Sequence, residues 1–346
     1  MTSDPPYAHL GGLLATGLVA VADLHADPSV LDRGWWVVVG TFEGELTGYR
    51  FERVVRAELP EPADSWVGPA GPWRSSLDRV AFLDGVARVR AHIAAGDVYQ
   101  VNLCRMLTAP LAGPQDPLAL AHRLAAGNPA PLQGVLHLGR EWVVSASPEL
   151  FLSRDADLVA SSPIKGTTRP GEPFADKDYP ENIMITDLVR NDLGRIARPG
   201  SVVVTELLAR QEHPGLAHLV STVTARLADD VGWAQILAAT FPPGSVTGAP
   251  KIRACEVITE LEPVPRGVYC GAFGFVDGDR STARLAVAIR TFFGGPDRIQ
   301  FGTGAGITYS SDPAAEWDET ELKAARLIRL TNPAPAPAFT PHPDPR

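Results

Sequence analysis

Residues 268–303 read VYCGAFGFVDGDRSTARLAVAIRTFFGGPDRIQFGT and contain three runs rich in β-branched and aromatic side chains. The runs Val268–Val276, Ala283–Phe293 and Ile299–Thr303 are separated only by short segments that contain Gly, Asp or Pro. This spacing is typical of consecutive β-strands joined by turns. Because strands joined by a short turn run in opposite directions, the stretch predicts an antiparallel sheet.

The rest of the chain has the same character, with groups of strand-like runs between a few helical segments. One helix is predicted after Pro250, with Ile252 on its inner face, and another after Asp312, with Leu322, Ala325 and Ile328 facing inward. Strands that come in groups, without strict alternation with helices, favour an α+β protein. We therefore predict two packed, mostly antiparallel β-sheets flanked by helices.

The composition excludes several classes of protein. The 346 residues carry a net charge of −9, so the chain has no excess of basic residues with which to bind nucleic acid. The first 25 residues lack a basic segment followed by a long apolar one, which argues against a secretion signal or membrane span. Three scattered cysteines are too few for a disulfide framework or a zinc site. We expect a cytoplasmic protein that binds neither nucleic acid nor membrane.

Proline and glycine content suggests where the chain is divided. Residues 57–75 are rich in both and read as a loop, so residues 1–75 are predicted to form a short N-terminal part of the same fold. Residues 76–331 are predicted to form the main domain, and the Pro-rich residues 332–346 a disordered tail.

Two pairs of acidic residues are candidates for a metal site. Asp178 and Glu181, and likewise Glu316 and Glu319, are three residues apart near the start of predicted helices, which places each pair on one helix face. Carboxylates at the start of a helix also interact favourably with the helix dipole. A purely structural role therefore stays open for each pair. If the two helix starts converge, they could bind Mg²⁺, which takes one or two protein carboxylates and leaves positions for substrate oxygens.

Three other residues could take part in catalysis or substrate binding. Glu149 and Lys165 flank a short hairpin-like segment and could be an acid and an amine nucleophile, although an exposed turn lysine is the simpler interpretation. Arg290 follows an apolar run and could form a structural ion pair or bind a carboxylate. The glycine-rich runs at 244–251 and 302–306 do not match nucleotide-binding motifs, and each could be a tight turn or a backbone anion site.

Together these motifs resemble the chorismate-utilising enzymes, a family that includes anthranilate, aminodeoxychorismate, isochorismate and salicylate synthases. The resemblance covers residues from about 80 to 330, with the motifs in the family's order, and the N-terminal part is much shorter than in the usual synthase subunits. The matching runs are GDVYQVNLCR (96–105), SASPELF (145–151), PIKGTTRP (163–170), ENIMITDLVRNDLGR (181–195), SVTGAPKIRACEVI (245–258), AIRTFF (288–293), GTGAGI (302–307) and EWDETELK (316–323).

Two positions distinguish the branches of the family. Lys165 resembles component I of aminodeoxychorismate synthase, since anthranilate synthases have alanine there. Gln100 stands where isochorismate and salicylate synthases have a lysine that activates water, and a glutamine amide cannot act as a base near neutral pH. The resemblance therefore favours amine chemistry, leading toward para-aminobenzoate and folate.

The resemblance also implies roles for individual residues. Glu181 and Glu319 would bind Mg²⁺, with Asp178 and Glu316 bonding its waters. Lys165 would add covalently at C2 of chorismate while Glu149 acts as the general acid. The positions that match the substrate pocket are Arg290, Gly304, Ala305, Gly306, Lys323, Gly166, Thr167, His218, Ser245, Tyr269 and Gln100.

Ammonia is predicted to come from a separate subunit. None of the three cysteines lies in a turn that resembles a glutaminase nucleophile, so we expect a glutamine amidotransferase partner (component II). Two alternatives stay open: component I of anthranilate synthase, and a catalytically silent subunit that only binds chorismate.

Overall fold

The computed structural model describes residues 5–213 and 216–332, which contain six α-helices and eighteen β-strands. The helices are α1 (Arg79–Ala94), α2 (Pro117–Gly127), α3 (Asp178–Gly194), α4 (Trp233–Thr240), α5 (Lys251–Leu261) and α6 (Pro313–Thr331). The strands are β1 (Tyr7–Leu10), β2 (Leu13–Asp23), β3 (Trp35–Gly40), β4 (Leu46–Arg56), β5 (Arg74–Ser75), β6 (Gln100–Pro110), β7 (Leu132–His137), β8 (Trp142–Ser147), β9 (Leu150–Asp155), β10 (Leu158–Ser162), β11 (Ile164–Thr168), β12 (Val203–His213), β13 (Leu216–Arg226), β14 (Gly248–Ala249), β15 (Ala272–Asp277), β16 (Thr282–Val287), β17 (Thr291–Gly294) and β18 (Arg298–Ile307).

The strands form two half-sheets that are joined by one hairpin. The first half-sheet runs β6–β18–β17–β8–β7–β1, and the second runs β2–β4–β3–β15–β16–β9–β10–β13. The β1–β2 hairpin connects them through Gly11 and Gly12, whose positive φ angles of 58° and 76° suit the tight turn between twisted strands. Every ladder between the described strands is antiparallel.

The half-sheets pack on a shared apolar core. The largest cluster of buried side chains includes Val101 and Ile307 from the first half-sheet and Trp36 and Leu152 from the second. The predicted α+β class with two packed antiparallel layers is therefore confirmed, with the addition that the layers are continuous through the hairpin. None of the helices in the described ranges has the length and apolar character needed to span a membrane.

The strand predicted at Ala283–Phe293 is two strands. β16 pairs with β15 and β9 in the second half-sheet, whereas β17 pairs with β8 and β18 in the first. The chain crosses between the halves at residues 288–290, and Arg290 adopts a positive φ of 51° there. The sequence does not reveal this crossover because the apolar run continues through it. Similarly, the strand predicted from Val268 begins only at Ala272.

Two inward-facing residues were predicted wrongly. Leu322 on α6 is 78% exposed and Ile252 on α5 is 79% exposed, whereas Ala324, Leu327 and Ala254 are buried. On α6 the inner face also contains threonines, which bury their hydroxyls by bonding within the helix, as Thr320 does to the carbonyl of Trp317 at 2.8 Å. Because threonine is not an apolar residue, hydrophobic spacing alone does not identify the inner face of α6. The start of α6 is as predicted, since Asp312 accepts a hydrogen bond from the amide of Ala315.

The predicted division of the chain remains largely untested. The proposed boundary at residue 75 stays a prediction, and the predicted tail lies outside the described residues except for Asn332.

A buried ion pair joins three segments of the chain. The guanidinium of Arg266, 1% exposed, donates to both carboxylate oxygens of Glu262 at 2.8 and 2.6 Å. Arg266 also donates to the backbone carbonyls of Asn102 and Val246, and Glu262 accepts from the amide of Cys104. The pair thereby holds β6, the turn at 244–246 and the end of α5 together.

Replacing Arg266 with methionine should destabilise the protein by about 3–5 kcal/mol, because the carboxylate of Glu262 would stay buried without its partner. Urea unfolding would measure this change. The control is Arg190→Met: both side chains of the Arg190–Asp187 ion pair are more than half exposed, 51% and 72%, so its loss should cost less than about 1 kcal/mol. Equal effects of the two substitutions would contradict the structural role of Arg266.

Candidate active site

Most of the predicted site residues line one cavity of about 510 Å³ between the half-sheets and helices α3 and α6. The residues around it are Glu149, Lys165, Gly166, Thr167, Asp178, Glu181, His218, Ser245, Tyr269, Arg290, Gly304, Gly306, Glu319 and Lys323. The other three predicted residues are buried beside it: Gln100, Ala305 and Glu316. The structure thus brings residues from motifs spread over more than 200 residues of sequence together at one cavity.

At one end of the cavity, Lys165 and Glu149 meet at Ser245. The ammonium of Lys165 donates to the backbone carbonyl of Ser245 at 3.1 Å, so the alternative of an exposed turn lysine is wrong. Glu149 is 4% exposed, and the Ser147 hydroxyl accepts a hydrogen bond from its amide. One carboxyl oxygen of Glu149, Oε1, is buried without a hydrogen-bond partner. Burial raises the pKa of Glu149 to about 7, although the Ser245 hydroxyl and Lys165 oppose the change.

The two helix starts converge at a second part of the cavity. Asp178 and Glu181 lie in the first turn of α3, and Glu316 lies in the first turn of α6, with Glu319 three residues further along. Burial raises the pKa of Asp178 and that of Glu181. Burial acts in the same direction on Glu319, but Lys323 and Lys177 outweigh it and hold the pKa of Glu319 at about 2. Both acidic pairs are thus at helix starts and also at the cavity.

Lys177 lies between two of these carboxylates. Its Nζ is 3.5 Å from Glu316 Oε1 and 3.4 Å from Glu319 Oε2. Within the described ranges, no three His, Cys, Asp or Glu side chains are grouped closely enough to hold a metal ion as they stand. The chemistry of the residues nevertheless fits a hard cation, since Glu316 Oε2 and Gln100 Oε1 are buried oxygens without hydrogen-bond partners.

Cationic side chains also line the cavity. Arg290 forms no ion pair within the described part of the chain, and burial together with Arg326 lowers the pKa of Arg290 to about 10. Lys323 donates to the carbonyl of Gly304 at 3.0 Å and pairs with Glu319 at 2.7 Å. These cations and the partly uncovered Gly304 backbone could bind an organic anion.

The glycine-rich run at 302–306 belongs to strand β18, so its interpretation as a tight turn is wrong. β17 pairs with β18 only as far as Phe301, which leaves the following edge of β18 open to the cavity. A Cβ atom at Gly306 would collide with the amide of Gln100, so glycine allows that side chain to approach. Gln100 in turn places Nε2 3.5 Å from Glu181 Oε2. The other run, at 244–251, begins with a short 3-10 turn, as the tight-turn alternative proposed.

Two further contacts lie in the wall of the cavity. The Thr167 hydroxyl and His218 Nδ1 are 2.9 Å apart and are hydrogen-bonded. The ring of Tyr269 packs against Gly302, where a Cβ atom would collide with it.

Sequence reasoning missed several residues at the cavity. Arg326 is on the same face of α6 as Glu319 and Lys323, a spacing of four and three residues that could have identified it. Lys177 directly precedes Asp178, but its contact with α6 depends on tertiary structure. The sequence contains only four lysines. Three of them, Lys165, Lys177 and Lys323, line this cavity, and the fourth, Lys251, pairs with Asp192 at 2.6 Å.

Comparisons with known proteins agree on a family. A sequence profile described as chorismate binding enzyme matches residues 45–329. The chain is 41% identical over 292 residues to anthranilate synthase component 1 of Streptomyces coelicolor, covering 80% of this chain and 56% of that protein. It is 39% identical over 270 residues to aminodeoxychorismate synthase component 1 of Klebsiella aerogenes, covering 74% of this chain and 59% of that protein. The chain thus matches less than two thirds of the length of each relative.

Solved structures show the same fold. Anthranilate synthase component I from Streptococcus pneumoniae superposes with a TM-score of 0.80 at 24% identity, covering 95% of this chain and 94% of that one. A putative 2,3-dihydroxybenzoate-specific isochorismate synthase from Bacillus anthracis gives a TM-score of 0.79 at 21% identity, covering 95% and 96%. At this identity the likeness concerns the fold alone. The extent of the profile match and the identity to the sequence relatives establish that this chain belongs to the family of chorismate-binding enzymes.

Proposed function

We propose that the protein converts chorismate and ammonia to 4-amino-4-deoxychorismate, as component I of an aminodeoxychorismate synthase. The observation that carries the proposal is the meeting of Lys165 and Glu149 at Ser245, inside a cavity that has both carboxylates and unpaired cations. A lysine and a buried, protonated carboxyl group are what a covalent amination requires: a nucleophile for the ring and an acid for the departing hydroxyl.

The charge distribution of the cavity supports a substrate with two carboxylates. Arg290, Arg326 and Lys323 line the cavity and can bind the enolpyruvyl carboxylate of chorismate. The ring carboxylate would face the four acidic side chains, of which Glu181 and Glu319 would hold Mg²⁺ and Asp178 and Glu316 would bond its waters. When bound, Mg²⁺ supplies the positive charge that lets a carboxylate approach these acidic side chains.

The proposed reaction has two steps. In the first, the amine of Lys165 forms a bond to C2, the ring double bonds shift and the C4–O bond breaks, while Glu149 protonates the departing oxygen so that water leaves. In the second, ammonia bonds to C4, the bond from C2 to Lys165 breaks, and a proton from the added nitrogen returns to Glu149. The sum is chorismate plus ammonia to aminodeoxychorismate plus water, with Lys165 and Glu149 regenerated.

Component I of anthranilate synthase is the second candidate, because relatives with that name are as similar to the chain as those named for aminodeoxychorismate synthase. In that reaction ammonia itself attacks C2, so a lysine beside the acid would have no covalent role. Lys165 therefore favours the first candidate. Both relatives are named component 1, which supports a separate glutamine amidotransferase subunit as the source of ammonia for this chain as well.

Incubating the purified protein with chorismate, Mg²⁺ and ammonium chloride, and separating the products by chromatography and mass, tests the proposal. Aminodeoxychorismate supports it. Anthranilate as the main product would show that the second candidate function is correct. Isochorismate or salicylate would exclude both candidate functions.

Lys165 should be trapped as a covalent adduct when ammonia is withheld, because the second step then cannot occur. The expected adduct has the mass of chorismate less one water, on the peptide that contains Lys165, and mass spectrometry of the quenched enzyme would detect it. Lys165→Ala should lose both the adduct and aminodeoxychorismate. Lys165→Arg, which keeps the charge but removes the nucleophile, is the matched control and should lose both as well. Undiminished product from either variant would exclude the covalent role.

The raised pKa of Glu149 predicts a loss of stability at higher pH. The folded-state pKa is about 7, against an ordinary value of 4.5, so the unfolded state releases its proton first and stability declines as pH rises from about 4.5 to about 7. Since one pKa unit corresponds to about 1.4 kcal/mol, the loss between about pH 4 and about pH 8 is on the order of 3 kcal/mol. Urea unfolding of the wild-type protein and Glu149→Gln at both pH values measures it, because the glutamine variant lacks this contribution. Identical pH dependence of the two proteins would contradict the buried, protonated state.

The pKa of Glu149 also predicts how the reaction rate changes at high pH. At a fixed concentration of free ammonia, kcat/KM should fall above about pH 7 as Glu149 loses the proton it must donate. A rate that rises steadily from pH 7 to pH 9 would assign the acid role to another group.

A further inference from the structure

Lys177 occupies the position between α3 and α6 where the acidic side chains converge. It is the residue that precedes α3, and its ammonium is within 3.5 Å of both Glu316 and Glu319 on α6. Glu316 is 3% exposed, and its second oxygen, Oε2, has no hydrogen-bond partner. A buried carboxylate of this kind needs a nearby cation, because burying it alone would be strongly unfavourable. In the protein without a metal ion, Lys177 is that cation.

We propose that Lys177 is an exchangeable internal counter-ion: its ammonium and a divalent cation occupy the position beside Glu319 and Glu316 alternately, so that metal binding requires Lys177 to leave. This inference rests on the proposed function for the location of the metal site. It adds that the affinity for the metal is set by competition with a side chain of the same protein.

Simultaneous occupancy is disfavoured by geometry and by charge. Mg²⁺ needs the carboxylate oxygens of its ligands at about 2.0–2.1 Å, and the ammonium of Lys177 already contacts Glu319 Oε2. The ammonium also contacts Glu316 Oε1, on the residue that would bond a metal-bound water. A divalent and a monovalent cation a few ångströms apart would also repel each other strongly in a partly buried site.

Lys177 is the lysine at this cluster that is free to leave. Its side chain is 44% exposed, so its four-carbon stem can swing the ammonium into water. Lys323, by contrast, is anchored by a hydrogen bond to the Gly304 carbonyl as well as by its ion pair with Glu319. Half-burial lowers the pKa of Lys177, but Glu319, Glu316 and Glu181 outweigh it and raise the pKa above its usual value, so the side chain is charged throughout the neutral range.

A lysine at position 177 suits exchange better than an arginine would. A guanidinium would bind the two carboxylates through several hydrogen bonds at once and resist displacement, whereas an ammonium binds as a compact point charge. The sequence otherwise uses lysine at only three positions, so lysine at 177 is not explained by a general preference of this chain for it.

Binding of Mn²⁺, followed by the electron paramagnetic resonance signal of the free ion and competed with Mg²⁺, would test the exchange on the full chain. Lys177→Gln should bind Mn²⁺ about tenfold more tightly than the wild-type protein, an ordinary size for coupling between two binding events. Lys177→Arg should bind it more weakly than the wild type. The control is Arg190→Gln, which removes one positive charge from α3 about 19 Å further along the helix axis. Arg190 pairs with Asp187 there, so this substitution should leave the affinity for Mn²⁺ unchanged.

A second measurement uses the unmodified protein and does not depend on how the variants fold. Acetylation by a trace amount of acetic anhydride, quantified by peptide mass spectrometry, reports how accessible each of the four amines is. Labelling of Lys177 should increase several-fold when Mn²⁺ is added, whereas labelling of Lys251, which is held by Asp192, should stay the same.

The outcomes separate this inference from the proposed function. If the wild-type protein binds no Mn²⁺, the proposed metal site is wrong and the exchange is rejected with it. If Mn²⁺ binds but Lys177→Gln binds it no more tightly than Arg190→Gln, the exchange is wrong and the metal site stands. Labelling of Lys177 that is unchanged or lower in the presence of bound Mn²⁺ would also overturn the exchange.

Discussion

The antiparallel ladder between β6 and β18 is the constraint on which the site depends. Ten residue pairs join these strands, from Val101 opposite Ile307 to Pro110 opposite Arg298. Helix α6 is attached to both strands through Thr320, whose hydroxyl accepts a hydrogen bond from Arg105 on β6 and whose carbonyl accepts one from Thr303 on β18. The ladder therefore sets the rotation of α6, and with it the direction in which Glu316, Glu319 and Lys323 project.

The cavity shifts the pKa values of two carboxyl groups in opposite directions. Glu149 lies near the Ser245 hydroxyl and Lys165, but burial outweighs them and raises its pKa to about 7. Glu319 is also largely buried, but two ammonium groups within hydrogen-bonding distance hold its pKa at about 2. A group that can donate a proton and a group that stays ionised thus coexist in one site because lysines are distributed unequally around them.

Patterns within single elements were enough to predict much of the fold and the site. The cap at Asp312, the antiparallel character of residues 268–303 and the two acidic helix starts each depend on local spacing, and the structure has all three. What failed depends on tertiary structure: nothing in the apolar run through Ala288 marks a crossover between half-sheets, and Leu322 was assigned inward because buried threonines disguise the inner face of α6. Lys177 was missed for the same reason, since its partners are about 140 residues away in the sequence.

The order in which the strands are joined has a consequence for biosynthesis. β3 pairs with β15, β1 with β7 and β6 with β18, so strands made early are completed by partners more than 100 residues later. At about 5–20 residues per second, a ribosome leaves one edge of such strands unpaired for many seconds, although β1 and β3 can already pair with β2 and β4. Contacts this distant also make folding slow, and unpaired strand edges are exposed to aggregation while they wait. The nascent N-terminal strands are therefore the part of this polypeptide with the greatest need for a chaperone.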